Sequence, residues 1–237
     1  MIRAVICDIY GTLLDVGPPP PDAEERWLDL WNNHRLPHPA PSLSDLDTAV
    51  RARVPASHAA GRATGLVQPE IIWPDLAESA FPALRLIPPE NRTAFYHHHA
   101  TLVRSTRLAA GAAGCLQFMA ANSFVIGIAS NAQASTRLEL TGALTEAGLE
   151  FSLFHPDTQF WSYLEGAAKP DPIVFSRLST RLRHLGISPA ETLMVGDRID
   201  TDVAPAHEAG WSAWHLQPAS GPFAGEWTAL HEWLVIR

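Results

Sequence analysis

The sequence predicts an α/β protein: a parallel sheet with helices on both faces, interrupted near its start by a mostly helical insertion. Three observations carry this. Short β-branched and apolar runs alternate with helix-like segments through the second half of the chain, the signature of strands joined by helical crossovers. One isolated run of the same kind, "RAVICDIY", stands at the beginning. Between the two lies a stretch of helical periodicity cut repeatedly by proline. The length of 237 residues exceeds one average domain yet is short for two independent ones, which fits a core with a smaller inserted unit.

Taken in order, "RAVICDIY" reads as a buried strand stopped by Gly11. The proline run Pro18 to Pro21 supports neither helix nor strand and reads as a linker. Beyond it, "DAEERWLDLWNNHR", "SLSDLDTAVRARV", "EIIWPDLAESAF" and "NRTAFYHHHATLVRS" are helix-like. "GAAGCLQFMAAN" then predicts a helix, "SFVIGIASN" a strand and "STRLELTGALTEAGL" a helix closed by Gly148. "FSLFHP" predicts a short strand, "DPIVFSRLSTRLRHLG" a helix, "TLMVGD" a strand, "VAPAHEAG" a helix and "WSAWHL" a strand. Residues 1–17 and 109–237 are thus assigned to the core and 18–108 to the helical unit.

A net charge of −8 leaves no basic face for nucleic acid. No apolar run approaches the ~20 residues needed to span a bilayer, and no secretory signal is seen, so the expected location is the cytoplasm. Cys7 and Cys115 sit in apolar surroundings that suit buried, reduced thiols, and no metal-binding cysteine pair exists. Of the 17 basic residues, 16 are arginine; the single lysine is Lys169, inside "GAAKPDPIVF", which suggests that a compact ammonium is wanted there.

Ligands of open parallel sheets bind at the carboxyl ends of the strands. Asp8, Ser130 with Asn131, and Asp197 with Asp200 and Asp202 collect at those predicted ends, and Lys169 precedes a core helix. The set describes a cation site beside an anion site, since carboxylates hold a hard divalent ion while a hydroxyl, an ammonium and turn amides hold phosphate-like oxygens.

In their order, "CDIYGTL", "IASN", "AAKPDP" and "VGDRIDTD" resemble the haloacid dehalogenase-like (HAD) hydrolase superfamily, and the insertion resembles its type-1 cap. The resemblance implies a Rossmann-like parallel sheet core with an inserted helical cap domain, acting on a small-molecule substrate. It implies that Asp8 is a nucleophile forming an aspartyl ester. It places Ser130 and Lys169 on the transferred group, with Gly11, Thr12 and Asn131 beside them. Asp8, Asp197 and the backbone carbonyl of Tyr10 would ligate Mg²⁺, with Asp202 as a further ligand or support.

Tyr10 departs from the phosphatase pattern, which has an aspartate there to protonate the leaving group. A D-x-Y-G-T-L pattern is similar to the L-2-haloacid dehalogenases, whose halide needs no proton. The fourth motif resembles the Mg²⁺ site of phosphohydrolases, and its acids would repel one another without a cation. The leading expectation is a Mg²⁺-dependent hydrolase of a small phosphorylated metabolite. An L-2-haloacid dehalogenase and a non-catalytic ligand-binding relative are the alternatives. Trp27 and Trp31, four residues apart, are expected to pack the insertion's own core with Trp73. "YHHHA" is expected to be a solvated helix face, because adjacent helical residues point apart. Asp200 is expected to cap a helix or face solvent. Arg26 and Arg35 are candidates to meet a substrate carboxylate.

Overall fold

The structure, a computed structural model, describes residues 1–218 and 221–236. Strand β1 (Ala4–Cys7) leads through a turn to β2 (Leu14–Gly17). Five helices follow, α1 (Ala23–Asn33), α2 (Leu43–Arg51), α3 (Val54–Arg62), α4 (Trp73–Ala80) and α5 (Pro89–Val103). The chain returns through β3 (Ser105–Leu108), α6 (Ala112–Ala121), β4 (Val125–Ser130), α7 (Ala134–Glu146), β5 (Phe154–Trp161) and α8 (Ser162–Glu165). It ends with α9 (Pro172–His184), β6 (Thr192–Gly196), α10 (Ala204–Glu208), β7 (Ser212–Leu216), β8 (Ala224–Gly225) and α11 (Trp227–Val235).

The main sheet runs β5-β4-β1-β6-β7-β8, and every pairing in it is parallel. This is the α/β architecture expected. Side chains of a strand alternate between faces, and the packing follows that period. Val5, Cys7, Ile128 and Val195 meet α6, α7 and α11 on one face. Ala4, Ile6, Ala129 and Met194 meet α9 and α10 on the other. Both cysteines are buried and unpaired, and burial pushes the Cys115 thiol up to about 12.

Residues 23–103 have a separate apolar centre of Trp27, Trp31, Leu46, Val50, Leu84, Phe95 and Tyr96. Trp27 and Trp31 are buried there, with their indole N–H groups donating to the carbonyls of Pro41 at 2.7 Å and Pro37 at 2.9 Å. β2 and β3 flank this segment and pair antiparallel, joining its two ends. They were not anticipated, since four residues in each, one face exposed, leave too short a period to read.

Two expectations change. The run "FSLFHP" is strand only from Phe154 onward; Phe151–Leu153 is a 3₁₀ turn and β5 spans Phe154–Trp161. β5 lies at a sheet edge and its register with β4 shifts between Ile126 and Ile128, which is how an edge strand tolerates Pro156 and Asp157. The run "YHHHA" is not a solvated face, for Tyr96, His99 and Ala100 are buried. α5 packs on α1, and the helical period that turns Phe95 inward also turns in His99, which stacks on Trp73 at 4.6 Å and meets Trp27 edge-on at 5.5 Å. Burial lowers the His99 pKa to about 4, so its ring is neutral at pH 7. Among the described residues no helix is long and apolar enough to cross a membrane.

Trp27 contacts Trp31, Phe95 and His99 at ring separations of 5.5, 5.8 and 5.5 Å, so it is the keystone of the helical segment's centre. Trp27→Ala is expected to lower unfolding free energy by about 3–5 kcal/mol. Urea titration followed by circular dichroism checks this; a change below about 1 kcal/mol would show that the segment is held mainly by the core.

Candidate active site

Three neighbouring strands, β4, β1 and β6, end side by side, which delivers Ser130, Asp8 and Asp197 to one edge of the sheet. Asp8 extends the pairing by one residue, its N–H donating to Val195 O at 2.9 Å. The chain then turns sharply. Gly11 N–H donates to Leu14 O and Leu14 N–H to Ile9 O, both at 2.8 Å, and the Trp227 indole holds Thr12 O at 2.9 Å. Gly11 has φ +77°, and a Cβ there would stand 2.4 Å from Asp197 Oδ2. A Cβ on Gly196 would lie equally close to Asp202, 2.4 Å from its Oδ2. Both glycines exist so that carboxylates approach backbone.

Lys169 is the centre of the cluster. Its Nζ donates to Asp8 Oδ1 at 2.7 Å and Asp202 Oδ1 at 2.5 Å, with the lysine 3% exposed. Burial works against the ammonium, but the two carboxylates outweigh it and raise the Lys169 pKa. Burial pushes the Asp8 carboxyl above its ordinary range, against the pull of Lys169. Asp197 is shifted upward by burial and by the Asp202 charge. Asn131 sets the lysine's backbone, donating Nδ2 to Lys169 O at 2.9 Å and accepting Lys169 N–H on Oδ1 at 2.7 Å. Ser130 is buried beside it at the end of β4.

Asp8, Asp197 and Asp202 each offer an oxygen within 4.8 Å of the others. Three carboxylates against one ammonium leave negative charge in hard oxygen donors, a donor set that fits a divalent cation of the Mg²⁺ kind. Asp200 is outside the set, exposed and paired with Arg198 at 2.7 Å. Thr12 reaches Asp197 Oδ1 only at 3.5 Å.

Tyr10 does not stand free over Asp8. Its hydroxyl accepts from Arg104 Nη2 at 2.6 Å and is 2.9 Å from Thr136 Oγ1 and 3.1 Å from Glu139 Oε1. Arg104 closes the group by a fork to Glu139, Nε to Oε2 at 3.1 Å and Nη2 to Oε1 at 2.7 Å, with its guanidinium over the Tyr10 ring at 4.6 Å. Burial raises the phenol's pKa well above its usual range, so it stays protonated. Arg104, Thr136 and Glu139 carry no motif that would single them out. One arginine among many and one glutamate on a mixed helix become partners only through the fold.

A cavity of about 1110 Å³ lies between the helical segment and α7, lined by Trp73, Tyr96, His99, Arg104, Gln133 and Ser135 among others. Its arginines are Arg51, Arg92 and Arg104, while Arg26 pairs with Asp22 and Arg35 does not line it.

Residues 2–210 match the family model described as haloacid dehalogenase-like hydrolase. Among solved structures, the 2-haloacid dehalogenase of Pseudomonas syringae pv. Tomato is similar at 20% identity and TM-score 0.61, covering 100% of this chain and 99% of that one. The HAD phosphatase of Thermococcus onnurineus is similar at 19% identity and TM-score 0.54, over 99% and 98% of the two chains. The HAD-hydrolase YfnB of Bacillus subtilis, in a form bound to magnesium, is similar at 19% identity and TM-score 0.54, over 98% of each. Likeness at these identities speaks for the fold. No match to a curated protein was found.

Removing the lysine leaves Asp8 and Asp202, both buried, without their cation. In metal-free buffer Lys169→Met is expected to cost about 3–5 kcal/mol of unfolding free energy, with part of the loss recovered on adding Mg²⁺. Urea titration with EDTA and with Mg²⁺ measures both; stability equal to wild type in EDTA would mean that the carboxylates do not need the ammonium.

Proposed function

The chain belongs to the haloacid dehalogenase-like hydrolase family, and from that premise we propose that it is a Mg²⁺-dependent phosphohydrolase of a small phosphorylated molecule. The observation that carries this reading is the cluster of Asp8, Asp197 and Asp202, three carboxylates gathered at one point. A metal-free carbon–halogen reaction has no use for so much negative charge. In this reading residues 18–108 act as a helical cap over a core of residues 1–17 and 109–237. Asp8, Asp197, Asp202 and the Tyr10 carbonyl would hold the ion, which when bound shields the carboxylates and offsets phosphate charge.

Asp8 attacks phosphorus, the bond to the leaving oxygen breaks with its electron pair leaving on that oxygen, and an aspartyl phosphate forms. Lys169 opposes the upward push of burial on the Asp8 carboxyl and, with Ser130, faces the transferred oxygens, while the Gly11 and Thr12 N–H groups hold the turn through Leu14 O and Ile9 O. Asn131 orients Lys169 through its backbone. Water then attacks phosphorus, the bond to Asp8 breaks with its electron pair returning to the carboxylate, and the water's proton leaves on the inorganic phosphate. Tyr10 supplies neither a proton nor a base in these steps, since its hydroxyl is engaged by Arg104, Thr136 and Glu139. The preferred substrates are therefore acyl or aryl phosphates, whose leaving groups are stable anions.

Tyr10 also supports a second reading, an L-2-haloacid dehalogenase, because halide departs without a proton. The two readings separate in one experiment: phosphate and halide release from an acyl phosphate, a sugar phosphate and 2-chloropropionate, with and without EDTA. The expected result is EDTA-sensitive phosphate release, fastest from the acyl phosphate. A positioned acid or base contributes roughly 10²–10⁴-fold, so Tyr10→Asp should raise sugar phosphate hydrolysis by at least tenfold. Halide release that survives EDTA, without phosphate release from any ester, installs the dehalogenase instead.

A further inference from the structure

The helical segment touches the core through three polar clamps, and each clamp lies just downstream of a residue assigned to catalysis. Two residues after Asp8, the Tyr10 hydroxyl is held by Arg104, the residue that joins α5 to β3. Three residues after Ser130, the Gln133 side chain accepts the Trp73 N–H on Oε1 at 2.9 Å and donates Nε2 to Ile71 O at 2.8 Å. Two residues after Lys169, Asp171 Oδ2 accepts the N–H groups of Val67 at 2.8 Å and Gln68 at 3.0 Å. Backbone bonds reinforce the last clamp, Ala168 N–H to Gln68 O at 2.9 Å and Glu70 N–H to Gly166 O at 3.0 Å.

The clamps are joined to one another. Thr136 Oγ1 accepts both the Tyr10 hydroxyl at 2.9 Å and the Gln133 N–H at 3.1 Å, so the first and second share an atom. The second and third grip one continuous segment, residues 67–73. Asp171 is also the N-cap of α9, its Oδ1 accepting Ile173 N–H at 3.0 Å, and is buried. A carboxylate that caps a helix and captures two amides of a distant segment fixes the loop of Lys169 from both sides.

We propose that Gln133 and Asp171, together with the Arg104–Glu139 pair acting through Tyr10, are positioning residues that make the placement of Ser130, Lys169 and Asp8 depend on segment 67–73 being seated. The inference rests on the catalytic reading above for its kinetic arm and on the geometry alone for its physical arm. Among the described residues the acid pair Asp197 and Asp202 has no such clamp: Gly11 and Gly196 leave room for the two carboxylates, and Arg198 N–H donates to Asp202 Oδ2 at 3.1 Å, all within the core. Seating the segment thus brings the nucleophile and the anion-binding groups up to an acid pair that the core holds by itself.

Gln133→Ser and Asp171→Ser isolate the effect, because serine still serves as an N-cap for α7 and α9 but is too short to reach residues 67–73. In the full-length protein, amide exchange by mass spectrometry is expected to show Gln133→Ser raising exchange in residues 166–171 and Asp171→Ser raising it in residues 130–134. Residues 192–196 of β6 should stay as in wild type. With acetyl phosphate, each variant should lose about ten- to a hundredfold in kcat, the scale of ångström-level misplacement, with KM within about twofold. The double variant should lose less than the product of the two, since both act through one segment. Exchange that rises only at the mutated clamp, or kcat unchanged in both variants, overturns the proposal. If wild type turns over no phosphate, the function assigned above fails while the exchange arm still decides the coupling.

Discussion

The buried ammonium of Lys169 between Asp8 and Asp202 is the constraint on which the rest of the molecule depends. Two buried carboxylates this close are tolerable only with a cation between them. The ammonium in turn has to be delivered without freedom to withdraw. The Asn131 amide, bound at both the N–H and the C=O of Lys169, provides that delivery from the end of the adjacent strand. Arginine would not serve, since a planar fork cannot sit as a point charge in this space. The local backbone follows the same need, with glycine at 11 and 196 where carboxylates press against the chain.

Around this centre the sheet order does most of the placement. β4, β1 and β6 are neighbours because the chain builds outward from β1 on one side before crossing to the other. Their carboxyl ends therefore converge at the point where the order reverses. Ser130 and Asn131 come from one side of that point and Asp197 with Asp202 from the other. A single lysine joins them.

Tyr10 ties the turn after Asp8 to distant parts of the chain. Its phenol is longer than a carboxylate side chain and reaches Arg104, Thr136 and Glu139. The position is a joint between the turn after Asp8, α7 and the strand leading out of the helical segment. In the lining of the neighbouring cavity, Trp73 stacked on a neutral His99 sets aromatic rings among the charged residues Glu78, Arg92 and Arg104.

Read alone, the sequence determined the α/β core, the interruption by helices and the positions of Asp8, Ser130, Lys169 and Asp197. Buried strands are contiguous apolar runs, and the polar residues that end them stand out against that background, as did a lone lysine among arginines. What only the tertiary structure decided was partnership. Arg104 lies 94 residues from Tyr10, and Glu139 lies 129 from it, so no local period links them. The same holds for Asp171 and Val67, 104 residues apart. The burial of His99 escapes the sequence for a related reason: it is set by which face of α5 meets α1, and the spacing of adjacent histidines along a helix does not report that. Local pattern reports how a segment folds against an apolar core, but which distant charge it will meet depends on how the segments stack, and that is written in no single stretch of chain.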